Sequence, residues 1–133
     1  MKIQREKHWN NDATKLLSAA IAHDPTITMG DLINDVNGQD IGLFTVREGD
    51  RIDGVFTARF DGPELVVPAV GSRSGVPLVR HVVPYLTDMA RAYDCDFVRA
   101  HVPAERWEKV LRRYGFEKAE TVMRMGVANG RTQ

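Results

Sequence analysis

Glu64-Leu65-Val66-Val67-Pro68-Ala69-Val70-Gly71-Ser72-Arg73-Ser74-Gly75-Val76-Pro77-Leu78 is the stretch whose reading orders the rest of the chain. Its apolar run, Leu65 to Val67, reads as a strand. The strand enters a glycine-bearing loop, Val70 to Gly75, and the loop opens into a long amphipathic segment ending near Tyr93. A strand that feeds a glycine loop at a helix start can hold an anion. The first N–H groups of a helix lack internal partners, and the helix dipole adds partial positive charge there. Gly71 and Gly75 are expected to allow φ > 0 and close ligand approach. Ser72 and Ser74 add hydroxyls and Arg73 a charge, while Pro77 suits a first helical turn, where no N–H is needed. The plainer reading of the loop alone is a turn without a ligand.

Upstream, Met1 to Trp9 reads as a first strand. Asn10, Asn11 and Asp12 are N-cap residues for a helix carrying Leu16, Leu17, Ala20 and Ile21 at helical spacing. Asp24-Pro25 stops it, and Thr28 to Asn37 forms a second helix with Gly38 past its end. Ile41 to Arg47 and Arg51 to Phe60 make a hairpin around Glu48-Gly49-Asp50. Asp61-Gly62-Pro63 then turns the chain into Leu65 to Val70, which completes an antiparallel meander. Downstream, Leu78, Val82, Tyr85, Met89 and Ala92 define the inner face of a helix, which Pro84 kinks or delays. Asp96 to Val102 is a strand with Phe97 and Val98 in the core. Glu105 to Tyr114 is a helix with Trp107, Val110, Leu111 and Tyr114 inward and Gly115 as its cap. Phe116 to Val127 closes the domain with one or two strands, in which Met123 and Met125 pack as core or edge residues. The expected organisation is one domain over 1–127 and a frayed tail over 128–133.

The 133 residues are 43% hydrophobic and 27% charged, enough for a real core under a soluble surface. Net charge is zero, so no global pull toward nucleic acid or membrane follows. Its distribution is uneven. Residues 1–70 hold 7 Lys+Arg against 11 Asp+Glu, and residues 71–133 hold 11 against 7. A basic half that begins at the glycine loop suits a phosphate-rich ligand. Cys95 is the single cysteine, which excludes an intrachain disulfide and fits a reducing, cytoplasmic setting. No apolar run is long enough for a membrane span, and no signal-peptide pattern opens the chain. His8, His23, His81 and His101 show no metal-ligand spacing with Cys, Asp or Glu, so no metal is expected.

The order of strand, two helices, three antiparallel strands, glycine loop, helix, strand, helix and final strands resembles the GCN5-related N-acetyltransferase (GNAT) fold. The likeness extends over nearly the whole chain. The ending Trp107-Glu108-Lys109-Val110-Leu111-Arg112-Arg113-Tyr114-Gly115-Phe116-Glu117, followed by Thr121-Val122-Met123-Arg124-Met125, is similar to that family's last helix, Gly-Phe pair and strand. The fold class this implies is α/β (α+β), with a mixed, mostly antiparallel sheet of six or seven strands flanked by about four helices. Val98-Arg99-Ala100-His101 leading into Arg106-Trp107 is similar to small GNAT-like proteins of phages and prophages.

The resemblance implies an acyl-CoA co-substrate, with acetyl-CoA the first choice, and transfer to an amine. Its pyrophosphate would sit on Val70, Gly71, Ser72, Arg73, Ser74, Gly75 and Val76, and its pantetheine arm along Leu65, Val66 and Val67. The loop departs from the family's spacing. Leu111 stands where many members carry a tyrosine that protonates the departing thiolate. A family asparagine is also absent, its region holding His101, Pro103 and Glu105. Direct transfer needs a general base. Glu64 at the strand start and His101 at the end of the next strand are the candidates, histidine because it exchanges protons near neutral pH. Against this stands a scaffold without transferase activity that binds nucleic acid or a phage or host protein. Arg106, Lys109, Arg112 and Arg113 on one helix are its candidate surface. A C-terminal edge strand would also offer pairing in a homodimer.

Overall fold

The computed structural model describes residues 1–22, 27–73, 78–101, 105–119, 123 and 125. The elements are β1 (Lys2–Glu6), α1 (Asn11–Ala22), α2 (Met29–Asn37), β2 (Gly42–Glu48), β3 (Arg51–Asp61), β4 (Glu64–Val67), β5 (Val70–Ser72), α3 (Val79–Ala92), β6 (Phe97–Ala100) and α4 (Glu105–Arg112). The two N-terminal helices start as their polar residues dictate. The Asn10 carboxamide accepts from the N–H of Ala13 at 2.9 Å, and the Thr28 hydroxyl accepts from that of Asp31 at 3.1 Å.

Six strands form a mixed sheet in the order β1-β2-β3-β4-β6, with β5 also on β3. The β1–β2, β2–β3 and β3–β4 pairs are antiparallel, as the meander requires, and β4–β6 is parallel. Helices cover both faces, so the central strands bury successive residues in opposite directions. Leu43 and Val55 join Ala13, Leu17, Leu32 and Val36 beneath α1 and α2. Their neighbours Phe44 and Phe56 join Leu65, Val67, Val82 and Leu86 beneath α3. Phe44 and Phe56 pair across the strands, stack at 5.0 Å between centroids, and take Tyr85 edge-on.

Several details differ from the sequence expectation. The buried face of α3 is Val79, Val82, Leu86 and Ala90, with Tyr85 and Met89 on its shoulder and Ala92 exposed. Pro84 lies inside that helix rather than at its start. Phe97 is 62% exposed, because β6 is an edge strand among the described residues and its first residue overhangs the core. Tyr114 is 42% exposed, because α4 stops at Arg112 and the chain turns before reaching it. Gly115 does cap that helix. Its φ of +93° is a value L side chains rarely adopt, and its N–H donates to Arg112 O. Residues 116–119, 123 and 125 carry no strand, and Met123 and Met125 are exposed. The rest of the expected closing strands, and the 128–133 tail, lie outside the described residues. Among those described, no helix is long and apolar enough to cross a membrane.

One polar network bridges the first two strands. The Glu6 carboxylate accepts from Thr45 Oγ1 at 2.7 Å and from the Arg47 guanidinium at 2.9 Å. Burial pushes this carboxyl up. Hydrogen bonds from Arg47 and Thr45, with the Arg47 charge, outweigh that and hold it below its usual value. The group therefore stabilises the fold above the unfolded value of 4.5, and the contribution disappears as pH falls through the lower, folded value. Glu6→Gln is expected to cost about 1–2 kcal/mol at pH 7. In urea unfolding, the gap from wild type should narrow as the pH drops below 4.5.

Candidate functional site

The stretch that reads as a single strand is broken. Glu64, Leu65 and Val66 pair with Asp61, Phe60 and Arg59, whereas Val70, Gly71 and Ser72 pair with Phe56, Val55 and Gly54. Between these two sets, Thr57 and Ala58 of β3 face Val67, Pro68 and Ala69. One extra residue is therefore accommodated as a β-bulge. Pro68 has no N–H to give the ladder, which places the break there.

The bulge changes what lies on the other side. β4 runs parallel to β6 from Glu64–Phe97 to Val67–Ala100, and the N–H of His101 donates to Val67 O at 3.3 Å. β6 ends at Ala100 and, among the described residues, β5 pairs with β3 alone, which leaves an opening beside β5. Ala69 O accepts from Thr57 N at 3.0 Å and Arg73 N donates to Asp53 O at 2.8 Å, so these residues turn their backbone groups toward β3. Backbone direction alternates along a strand. The N–H of Val70 therefore faces the opening.

A cavity of about 160 Å³ fills this opening. Val79, Val82, Val83 and Leu86 of α3 form one wall, and Trp107 and Leu111 of α4 with Phe116 form another. Val67 to Val70, Ala100 and His101 supply the strand edges, and Ala20 closes the far side from α1. The lining is apolar, and His101 is its one titratable side chain among the described residues. The contributions of Trp107, Phe116 and the α3 valines were not legible as site residues. Their helical spacing marks them as inward-facing, but nothing local separates a cleft wall from core.

The sequence candidates divide. Val67, Val70 and His101 line the cavity; Leu65 and Val66 are fully buried in β4 beside it. Gly71 lies within β5, outside the left-handed region that the loop reading expected. A Cβ there would overlap the carbonyl of Leu16, so the glycine lets β5 pack directly on the α1 backbone. Arg73 is held by groups of β3 and α1. Its Nε donates to Ile52 O at 3.0 Å, and its terminal nitrogen lies 3.8 Å from Asp12. Ser72 ends β5. Ser74, Gly75, Val76 and Pro77 lie outside the described residues, as does the side chain of Arg106.

Glu64 sits at the opposite end of β4, roughly 10 Å from Val67 by strand rise. Its carboxylate is 3.6 Å from Arg99, which also reaches Asp61 at 3.5 Å. Glu64 and His101 lie at opposite ends of one larger cleft, of about 830 Å³, which adjoins the cavity through Val83, Ala100, His101, Leu111 and Phe116. On α4, Lys109, Arg112 and Arg113 are exposed, and Arg112 is held by Glu108 at 3.0 Å. Among the described residues no group of three or more His, Cys, Asp or Glu could hold a metal.

No protein-family profile matches the chain, and no curated relative does. Solved structures do match. A Bacillus subtilis acetyltransferase in complex with CoA aligns with a TM-score of 0.70 at 13% identity, over 95% of this chain and 90% of that one. AAC(6')-Iy, bound to the bisubstrate analogue CoA-S-monomethyl-acetylneamine, aligns at 0.66 and 13% identity, over 96% and 98%. An integron cassette protein from V. cholerae aligns at 0.65 and 16%, over 97% and 93%. The chain has the GNAT fold. The opening beside β5 follows the bulge at Pro68–Ala69.

Proposed function

We propose that this GNAT-fold chain is an acyl-CoA-dependent N-acyltransferase that passes an acyl group directly to an amine. The observation that carries the reading is the apolar cavity beside β5, with one proton-exchanging side chain, His101, and one inward backbone donor, Val70 N–H. A thioester arm fits an apolar cleft flanked by a strand edge. Bound there, an acyl-CoA supplies an electrophilic acyl carbon and a thiolate leaving group. The amine nitrogen bonds to that carbon as the carbon–sulfur bond breaks. His101 takes the amine proton, directly or through one water, and can return it to the sulfur. Val70 N–H steadies the oxygen as it gains charge. Glu64 is the weaker candidate for base, being engaged with Arg99 and set back along β4. A reducing, cytoplasmic setting agrees with the single thiol, Cys95.

One observation favours a second reading, a binding scaffold without turnover. Leu111 lines the cavity where a proton donor to the thiolate would be useful, and it carries no exchangeable proton. Calorimetric titration with acetyl-CoA and CoA, followed by a thiol-release assay with a panel of primary amines, separates the two. Micromolar binding with amine-dependent release of thiol is the expected result. No heat at millimolar ligand would overturn the acyltransferase reading, and binding without release would favour the scaffold.

A further inference from the structure

We propose that the cavity selects an acyl group longer than acetyl, a short apolar chain of about four to six carbons. The proposal rests on the acyl-CoA reading above and specifies its donor. The cavity crosses the plane of the sheet. Val82 and Leu86 belong to the core beneath α3, whereas Ala69 belongs to the core beneath α1, and Ala20 is on α1 itself. It crosses beside β5, past the end of β6, and three of its lining side chains there, Ala20, Ala69 and Ala100, are small.

The volume, about 160 Å³, is close to the roughly 150 Å³ of an apolar protein cavity that takes up benzene. With the thioester at the strand edge, an acetyl methyl would leave the α1 end of this space, at Ala20 and Ala69, without contacts. The chemistry of the lining also identifies the occupant. An amine acceptor is cationic near neutral pH and would leave its solvation for a cavity without a carboxylate. The acyl chain meets no such penalty. Each buried methylene raises affinity by roughly threefold to fourfold. A butanoyl group adds two to acetyl, so butanoyl-CoA is expected to bind roughly tenfold more tightly than acetyl-CoA.

Calorimetric titration of the full chain with CoA, acetyl-CoA, butanoyl-CoA and hexanoyl-CoA tests this. Wild type should follow the order butanoyl or hexanoyl, then acetyl. Ala20→Leu places a helix-favouring side chain at a half-buried α1 position and should bring the butanoyl-to-acetyl ratio from about ten to near one. A thermal melt checks that the variant is folded, and the wild-type series decides the matter without it. Equal affinities, or tighter acetyl-CoA, with CoA still bound would overturn the proposal and leave the acyltransferase reading standing. A folded Ala20→Leu with an unchanged ratio would also overturn it. Failure of all four to bind would overturn both.

Discussion

Gly71→Val is expected to be the most damaging single substitution at the site, with a loss of at least about 3 kcal/mol in urea unfolding. The reason is backbone on backbone. The new Cβ would overlap the Leu16 carbonyl carbon and oxygen, and Leu17 N lies 3.2 Å away. Neither strand nor helix can yield by a rotamer change, since Leu17 and Ala13 lock α1 into the core at 0% exposure. Against a stability of about 5–15 kcal/mol, such a loss leaves much of the protein unfolded under mild conditions. Gly49→Ala is the control. Gly49 has a φ of +61° with nothing within 4 Å of its new Cβ, so only the backbone preference is lost, about 1–2 kcal/mol. If Gly71→Val were as mild as Gly49→Ala, the close packing of β5 on α1 would be wrong. The same geometry means that reduced CoA affinity in a Gly71 variant would report on folding rather than on a phosphate loop.

His101→Ala is expected to lower kcat for acyl transfer by roughly 10²- to 10⁴-fold while leaving the melting temperature nearly unchanged. The stability part follows from the exposure of His101, just past the end of β6. The catalytic part follows from its being the one titratable side chain among the described residues that line the cavity. His101→Gln keeps the size and polarity without the proton exchange and should be equally slow. A variant that retained full kcat would transfer the role to a solvent water or to Glu64. A Glu64→Gln comparison distinguishes these, because it would then be the slow one.

Much of this architecture can be read from local pattern. The hairpin and meander are legible because strand alternation is punctuated by Gly49 and Gly62, both at positive φ. The last helix is legible because Gly115 must cap it. What could not be read depends on neighbours distant in sequence. Gly71 reads as a flexible loop residue until α1 is seen lying on it. Pro68 is the local sign of the bulge, yet a proline inside an apolar run does not say which strand pairing it will break. Phe97 reads as core because it is large and apolar, and its exposure follows from its place at the end of an edge strand. Arg73 reads as a loop residue, and its contacts with Ile52 O and Asp12, from two other elements, are not local in sequence. Of the candidate site, the strand and His101 could be named from the sequence as candidates; the cavity they border could not, because its walls come from α1, α3 and α4 together.

The central claim is that acyl-CoA enters beside β5, past the end of β6. Titrating uniformly ¹⁵N-labelled protein with CoA and following the backbone amides measures this directly. The account predicts the largest shifts at Val70, Ala100 and His101, with α2 and β1 unmoved. Saturable binding whose shifts fall instead on α2, or along the exposed face of α4 at Lys109 and Arg113, would contradict it.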